Sequence, residues 1–432
     1  MQHLISILFI IEFLLILFSF LQNLFNKGIN FKVGLSFALL FFVFIPVWLM
    51  IFQGVLLLSE KDFNYTTIKD VVLKSNIETS FVLLAFIFSI IIYLYYPTKK
   101  SIEKLEVNSF KPSIGFYLLI YIIGTVIVFI GSGLLEGGDW YGNREHFLKS
   151  TGALAVLILF TVNSAKVLIM CSMFYKWITN EWKFFKFLTI IVSFSIVDMV
   201  FSGNRIYLFC VAIIIALLIF KKYSKKTIIF LPFIVPIGFT LGYFASIFRH
   251  IRGPLLAKGL PTWTVFVEAV ERAMMLEPPS FTWFFIGISE SVNVNVMYDL
   301  FRGYNDFLFG ATYIKPLVFY LPRSIWESKP LSITVIAADH LGGASLVTTV
   351  IGEMYMNFYL FGIIILPIFL WYTDVLLTNT LRKYGIMSNV IMCFFGILIF
   401  RMPFSDEFLV FVFLLIILIS FNYFKKYKFV IK

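Results

Sequence analysis

Residues 112–132 read PSIGFYLLIYIIGTVIVFIGS, a run of 21 residues without a charged side chain. At about 1.5 Å of rise per residue, such a run wound as an α-helix matches the roughly 30 Å hydrocarbon core of a bilayer. Lipid offers no hydrogen bonds, so each backbone N–H and C=O must be paired within the segment, and the helix does this for an isolated run. The stretch is therefore expected to span a membrane. Working outward, the apolar runs are 3–22, 33–58, 77–96, 112–132, 150–175, 184–201, 204–220, 227–248, 346–372, 386–400 and 407–424, eleven in all. The chain of 432 residues is 60% hydrophobic, 19% aromatic and 14% charged, where an ordinary soluble domain is roughly 45–50% apolar and about 25% charged. A soluble enzyme is excluded. The expected fold class is an all-α polytopic membrane protein with about 11 transmembrane helices.

The net charge of +11 sits in the short links between runs rather than on one soluble face, which argues against a nucleic-acid binder. Summed over alternate links, Lys and Arg number 19 on one side and 7 in the short links of the other. Cytoplasmic links carry the excess of positive charge. The expected topology thus has the N-terminus outside and the C-terminus in the cytoplasm. Residues 1–20 lack the basic start and small-residue cleavage site of an export signal and read as the first span. Cys171, Cys210 and Cys393 lie in apolar runs without C-x-x-C spacing and read as small core residues.

This divides the chain into spans 1–8 (1–248), one large outer loop (249–345), and spans 9–11 with a cytoplasmic tail (346–432). The loop holds 97 residues with amphipathic stretches at 262–275 and 283–300. A structureless loop of that size is unusual, so short helices lying on the membrane face are expected, and with them the chemistry. No internal repeat is visible, which weakens a transporter built from repeated halves.

Lysine outnumbers arginine 26 to 9, yet eight of the nine arginines fall on the expected outer side: Arg144, Arg205, Arg249, Arg252, Arg272, Arg302, Arg323 and Arg401. Only Arg382 is expected in the cytoplasm. A guanidinium grips phosphate with a flat fork of donors, whereas an ammonium acts as a point charge. The outer face thus reads as built to hold an anion, most simply a diphosphate at the lipid surface. Pairing of individual arginines with Glu145, Glu271, Asp299, Glu327 or Asp406 is the plainer alternative. Charges inside spans are Glu12, Lys166 and Asp198, which are expected to pair or to serve function. Lys166 has Glu12 or Asp198 as its candidate partner, and Asp198 is placed to orient an outer arginine.

No D-x-D, H-E-x-x-H, G-x-S-x-G or G-x-x-x-x-G-K-[ST] pattern occurs. The expected chemistry therefore uses no metal, no cofactor, no serine nucleophile and no bound nucleotide. His146, His250 and His340 are isolated in outer links.

Gly310-Ala311-Thr312-Tyr313, followed by Leu321-Pro322-Arg323-Ser324-Ile325-Trp326-Glu327-Ser328-Lys329-Pro330, resembles the large periplasmic loop of the Wzy-type O-antigen and capsule repeat-unit polymerases. There a G-x-[ST]-Y run leads to P-R-x-[IL]-W-P-x-K-P. Ser202-Gly203-Asn204-Arg205, Gly352-Glu353 with Asn357-Phe358, and Arg401 add to the likeness, which covers mainly residues 200–410. Glu327 stands where proline is usual.

The resemblance implies an integral-membrane glycosyltransferase of the bacterial inner membrane. It would act on two undecaprenyl-diphosphate-linked glycans at the periplasmic face, moving the growing chain onto the terminal sugar of the incoming unit, with a chain-length regulator as a further candidate partner. The departing diphosphate gains charge, and preorganised guanidiniums stabilise it. Arg205, Arg323 and Arg401 are the first candidates for this, then Arg249, Arg252 and Arg272. Glu353 is the first candidate for accepting the acceptor hydroxyl's proton, with Asp339 and His340 behind it. Trp326 and Tyr313 are candidates for stacking on sugars. An O-antigen ligase, and a lipid-linked oligosaccharide flippase from the transport class, remain alternatives.

Overall fold

The computed structural model describes residues 2–48, 77–97, 111–132, 147, 153–202, 206–222, 263–264, 267–268, 271, 275, 292–319, 321, 325–326, 329–341 and 347–427. Among the described residues the regular structure is helical and no strand occurs. Seven helical stretches among the described residues are long and apolar enough to cross a membrane: His3–Lys27, Phe31–Trp48, Ile77–Tyr95, Ile114–Gly131, Leu154–Ile178, Thr349–Tyr384 and Phe404–Tyr423, with the shorter apolar helix Ile386–Leu398 beside them. The apolar runs expected at 184–201 and 204–220 are also helical, at Phe184–Ser202 and 206–222. The run at 227–248 lies outside the described residues. The chain is an all-α membrane protein.

In chain order the helices are α1 (Gln2–Lys27), α2 (Phe31–Leu39, continued by a π turn at Leu40–Phe44), α3 (Ile77–Tyr95), α4 (Ile114–Gly131), α5 (Ala153–Ile178), α6 (Phe184–Ser202), α7 (206–222), α8 (Val292–Gly303), α9 (Ala311–Ile314), α10 (Ile333–His340), α11 (Thr349–Phe358), α12 (Gly362–Leu381), α13 (Ile386–Leu398) and α14 (Phe404–Tyr427). Helices in lipid gain little from apolar burial against one another, so close backbone approach and polar ties decide their packing. Gly34 of α2 and Gly396 of α13 supply the close approach. A Cβ on Gly34 would run into the Cys393 carbonyl, and one on Gly396 would lie 2.7 Å from the Leu35 nitrogen.

Polar ties hold two other places. Lys32 Nζ donates to the carbonyls of Tyr93 (3.0 Å), Leu94 (3.1 Å) and Tyr96 (2.6 Å), closing the C-terminal end of α3 whose carbonyls have no helical partner. Beside it the Tyr93 hydroxyl donates to Asp374 of α12 at 2.9 Å. The start of α2 and the end of α3, which the charge count assigns to one side, thus share one end of the bundle. Deeper in, Lys166 of α5 pairs with Asp198 of α6 at 2.8 Å and lies over the Tyr207 ring of α7, while the Tyr121 hydroxyl of α4 donates to the same carboxylate at 2.9 Å. Of the two partners open to Lys166, the fold selects Asp198. All three cysteines are buried and free.

Two expectations need correction. The run 346–372 is not one unbroken helix. Tyr359 takes φ +53°, a 3-10 turn covers Tyr359–Phe361, and the helix is broken there. Its first part, α11, has ten residues and is buried from Thr349 through Asn357. The second part, α12, has 20 residues, enough to cross by itself, and exposes the apolar stripe Ile364, Ile368 and Tyr372. The break itself is exposed over Tyr359–Phe361, while the helix before it is packed within the protein.

The second correction concerns the outer loop. Its helix α8 does not lie on a membrane face but is buried over Asn293–Phe301. Phe301 stacks on Phe86 of α3 (centroids 5.8 Å apart, 4° between planes), nine residues past the start of α3 and so about 14 Å along it. Tyr298 and Ser80 share a hydrogen bond of 3.0 Å, and burial pushes the Tyr298 hydroxyl up to about 12. The reason is in the sequence: Val292, Val294, Val296, Met297, Leu300 and Phe301 cover most of the helix circumference and leave only a narrow polar stripe of Asn295, Asp299 and Arg302, so most of the helix seeks protein.

Candidate functional site

The site is built on α11, the short buried helix. Glu353 sits in its middle with no exposed surface. One oxygen, Oε1, accepts from the Thr312 hydroxyl of α9 at 2.9 Å. The other, Oε2, accepts from the backbone N–H of Ser405 in the first turn of α14 at 3.3 Å. The first N–H groups of a helix have no partner within it and carry partial positive charge, so a buried carboxylate is well placed there. Asn357, one turn beyond Glu353, donates through Nδ2 to Thr312 Oγ1 (2.8 Å) and to the Glu353 carbonyl (2.7 Å). The Thr312 hydroxyl therefore receives from Asn357 and donates to Glu353.

Local sequence explains why α9 reaches this spot. Gly310 precedes it at φ +83°, a left-handed conformation that side chains resist, and a Cβ there would stand 3.3 Å from Phe358. The Leu308 N–H donates to the Met356 carbonyl at 3.0 Å, fixing the approach to α11. Tyr313 then stacks on Phe358 (5.9 Å, 14°) and is edge-packed by Phe369 and Phe404. A second link between the same segments is the pair Lys315–Asp406 at 3.6 Å. Three separated stretches, 310–315, 352–358 and 404–406, thus meet around one carboxylate.

No family model, curated protein or solved structure matches this chain. The site is therefore read from its geometry.

Arg401 is half-buried on the turn between α13 and α14, its backbone N–H donating to the Leu398 carbonyl at 2.6 Å. It lies within electrostatic reach of Cys210 in α7. The other diphosphate candidates, Arg205, Arg249, Arg252, Arg272 and Arg323, lie outside the described residues. Asp339 is exposed near the end of α10. Its neighbour His340 is half-buried, with Nε2 at 3.7 Å from Asp299 of α8 and its ring edge-on to Tyr304. Burial holds the Asp299 carboxyl above its usual range, opposed by the nearby His340 and Arg302. Trp326 is half-buried, and Tyr313, expected against a sugar, has three aromatic rings packed on it.

Glu353, the expected proton acceptor, is sealed and held at both oxygens, so in this arrangement it positions three segments. Sequence reasoning missed Ser405, because a backbone N–H leaves no side-chain signal. It missed Asp299 as the partner of His340, having weighed it only against arginines. It also missed Glu407, which opens the last apolar run and is 2% exposed. The sequence does contain one spacing suited to a metal: Glu60-Lys61-Asp62, an E-x-D in the link between the second and third apolar runs, outside the described residues. The expectation of metal-free chemistry thus rests on the missing D-x-D and H-E-x-x-H patterns.

Proposed function

We propose that the chain joins undecaprenyl-diphosphate-linked oligosaccharide repeat units on the outer face of the bacterial cytoplasmic membrane, transferring the growing glycan to the terminal sugar of an incoming unit. What supports this reading most is the meeting of the patches that carry the family resemblance. Thr312 from Gly310–Tyr313, Glu353 and Asn357 from Gly352–Phe358, and Ser405 just after Arg401 are joined by direct hydrogen bonds. Stretches this far apart in sequence have reason to be alike together when they build one site.

In this reading Arg401, with Arg205 and Arg323, receives the charge that develops on the departing diphosphate. Arg249, Arg252 and Arg272 stand behind them. Glu353 fixes the Arg401 turn against the loop. Asp339 and His340, both with exposed surface, are the candidates for taking the acceptor hydroxyl's proton.

Product length tests the reading. A strain lacking the protein is expected to attach only single repeats to its final acceptor. Long chains stranded on the carrier would indicate a ligase, and units left facing the cytoplasm a flippase. A polymer ladder persisting in the deletion strain would reject the polymerase.

A further inference from the structure

Glu407 stands two residues past Ser405 in α14 and is 2% exposed. Both of its carboxylate oxygens are buried, and neither has a hydrogen-bond partner. The side chain lines a small cavity whose other walls include Phe31 of α2, Thr373 of α12, Phe395 of α13, and Phe404, Phe408 and Phe411 of α14. The cavity has room for about one water molecule.

An ionised carboxylate cannot be left in such a place without a counter-charge, because removing it from water costs far more than it gains from aromatic walls. Among the described residues, the groups around it do not supply one. Glu353 of α11 adds a second negative charge nearby. Tyr207 and Cys210 of α7 lie within its electrostatic reach and carry no positive charge. The Thr373 hydroxyl is committed to the Phe369 carbonyl at 2.9 Å. On the next position of α12, Asp374 is taken by Tyr93, and Lys32 of α2 is spent on the end of α3. On its own helix Asp406 pairs with Lys315. A bare metal ion would need several oxygen ligands, which these walls do not offer.

We propose that Glu407 is a proton-binding site, loaded with its proton in the resting protein and able to release it only when a cation comes to the carboxylate. The cation in its own segment is Arg401, which shares Cys210 as a neighbour with Glu407. Loss of the proton would then set Glu407 to compete with any anion for that guanidinium. Proton loading leaves Arg401 to the anion. The inference holds whichever substrate the protein takes.

Infrared difference spectroscopy on the full chain in lipid reads this directly. At neutral pH, Glu407→Gln is expected to remove one carboxylic-acid C=O band of the wild type, a band that shifts in heavy water. Asp406→Asn should leave that band in place. If Glu407→Gln does not fold, Glu407→Asp is expected to move the band rather than abolish it. Loss of carboxylate bands alone in Glu407→Gln, or an acid band unmoved by Glu407→Asp, would overturn the proposal. In the wild type, adding inorganic pyrophosphate should leave the acid band standing, and its conversion to carboxylate bands on pyrophosphate binding would also refute the competition.

Discussion

Two carboxylates lie close together in the same bundle and live differently. Glu353 has a donor on each oxygen, one from α9 and one from the start of α14, while Glu407 has none on either. Both are buried to the same degree. Burial alone therefore does not decide what an acidic side chain does inside a membrane protein; the donors that reach it decide. The first carboxylate is a tie between segments, and the second is a strained guest in an apolar cavity. Substitutions at the two places should differ in sign.

The largest effect is expected at the tie. Glu353→Ala leaves the Thr312 hydroxyl and the Ser405 N–H without their acceptor and opens a void, a loss of about 3–5 kcal/mol on the scale of breaking a buried polar network. Thermal unfolding of the purified protein in detergent would show it as a marked fall in midpoint. Thr312→Val should cost about 1–2 kcal/mol, and combined with Glu353→Ala should add little, since both remove the same hydrogen bond. At Glu407 the sign reverses. Glu407→Leu fills an apolar site with an apolar side chain and is expected to raise the midpoint, by about 1–2 kcal/mol of added stability. A fall there as deep as that of Glu353→Ala would erase the distinction.

A third charged place sharpens the comparison. Lys166 and Asp198 are a matched pair in which each compensates the other. Lys166→Met alone should cost about 3–5 kcal/mol by stranding Asp198, and Lys166→Met with Asp198→Leu should recover most of it. The smallest effect belongs to Asp299, whose folded-state carboxyl is raised by burial. A carboxyl raised in the folded state favours folding while protonated and opposes it once ionised. This contribution is present below the ordinary Asp value of about 3.9 and is lost as pH rises through the folded-state value. Asp299→Asn should therefore flatten that fall in stability on the acid side, measured as unfolding midpoint against pH.

The spans were legible because lipid forces them into the sequence: a run such as 112–132 has one physical solution, and it appears as Ile114–Gly131. The break at Tyr359 was not legible, because the neighbouring residues Phe358, Leu360 and Phe361 carry no proline or glycine, and only Gly362 beyond the turn hints at it. The burial of α8 is readable in principle from the width of its apolar face, which Val292, Val294, Val296, Met297, Leu300 and Phe301 spread over most of the helix, but an amphipathic stretch in an outer loop reads equally well as a helix lying on the membrane. Of the candidate site, Glu353 was legible as a residue type, and Thr312 only as a member of the stretch Gly310–Tyr313. The site's geometry was not, since the donor that fixes Glu353 to α14 is a backbone N–H. Lys166 shows the middle case: the charge was visible, and only packing could choose Asp198 over Glu12.

The proposed chemistry is tested most directly by purified protein in lipid, given undecaprenyl-diphosphate-linked repeat units as its only substrate and read on a gel. The account predicts a ladder of joined units that persists with a strong chelator present, and about a 100-fold loss of rate in Arg401→Lys, the scale of removing one group that stabilises a developing anion. Activity lost to the chelator and restored by magnesium would move the chemistry to Glu60 and Asp62. Units that stay single with the wild-type protein under every condition would contradict the account.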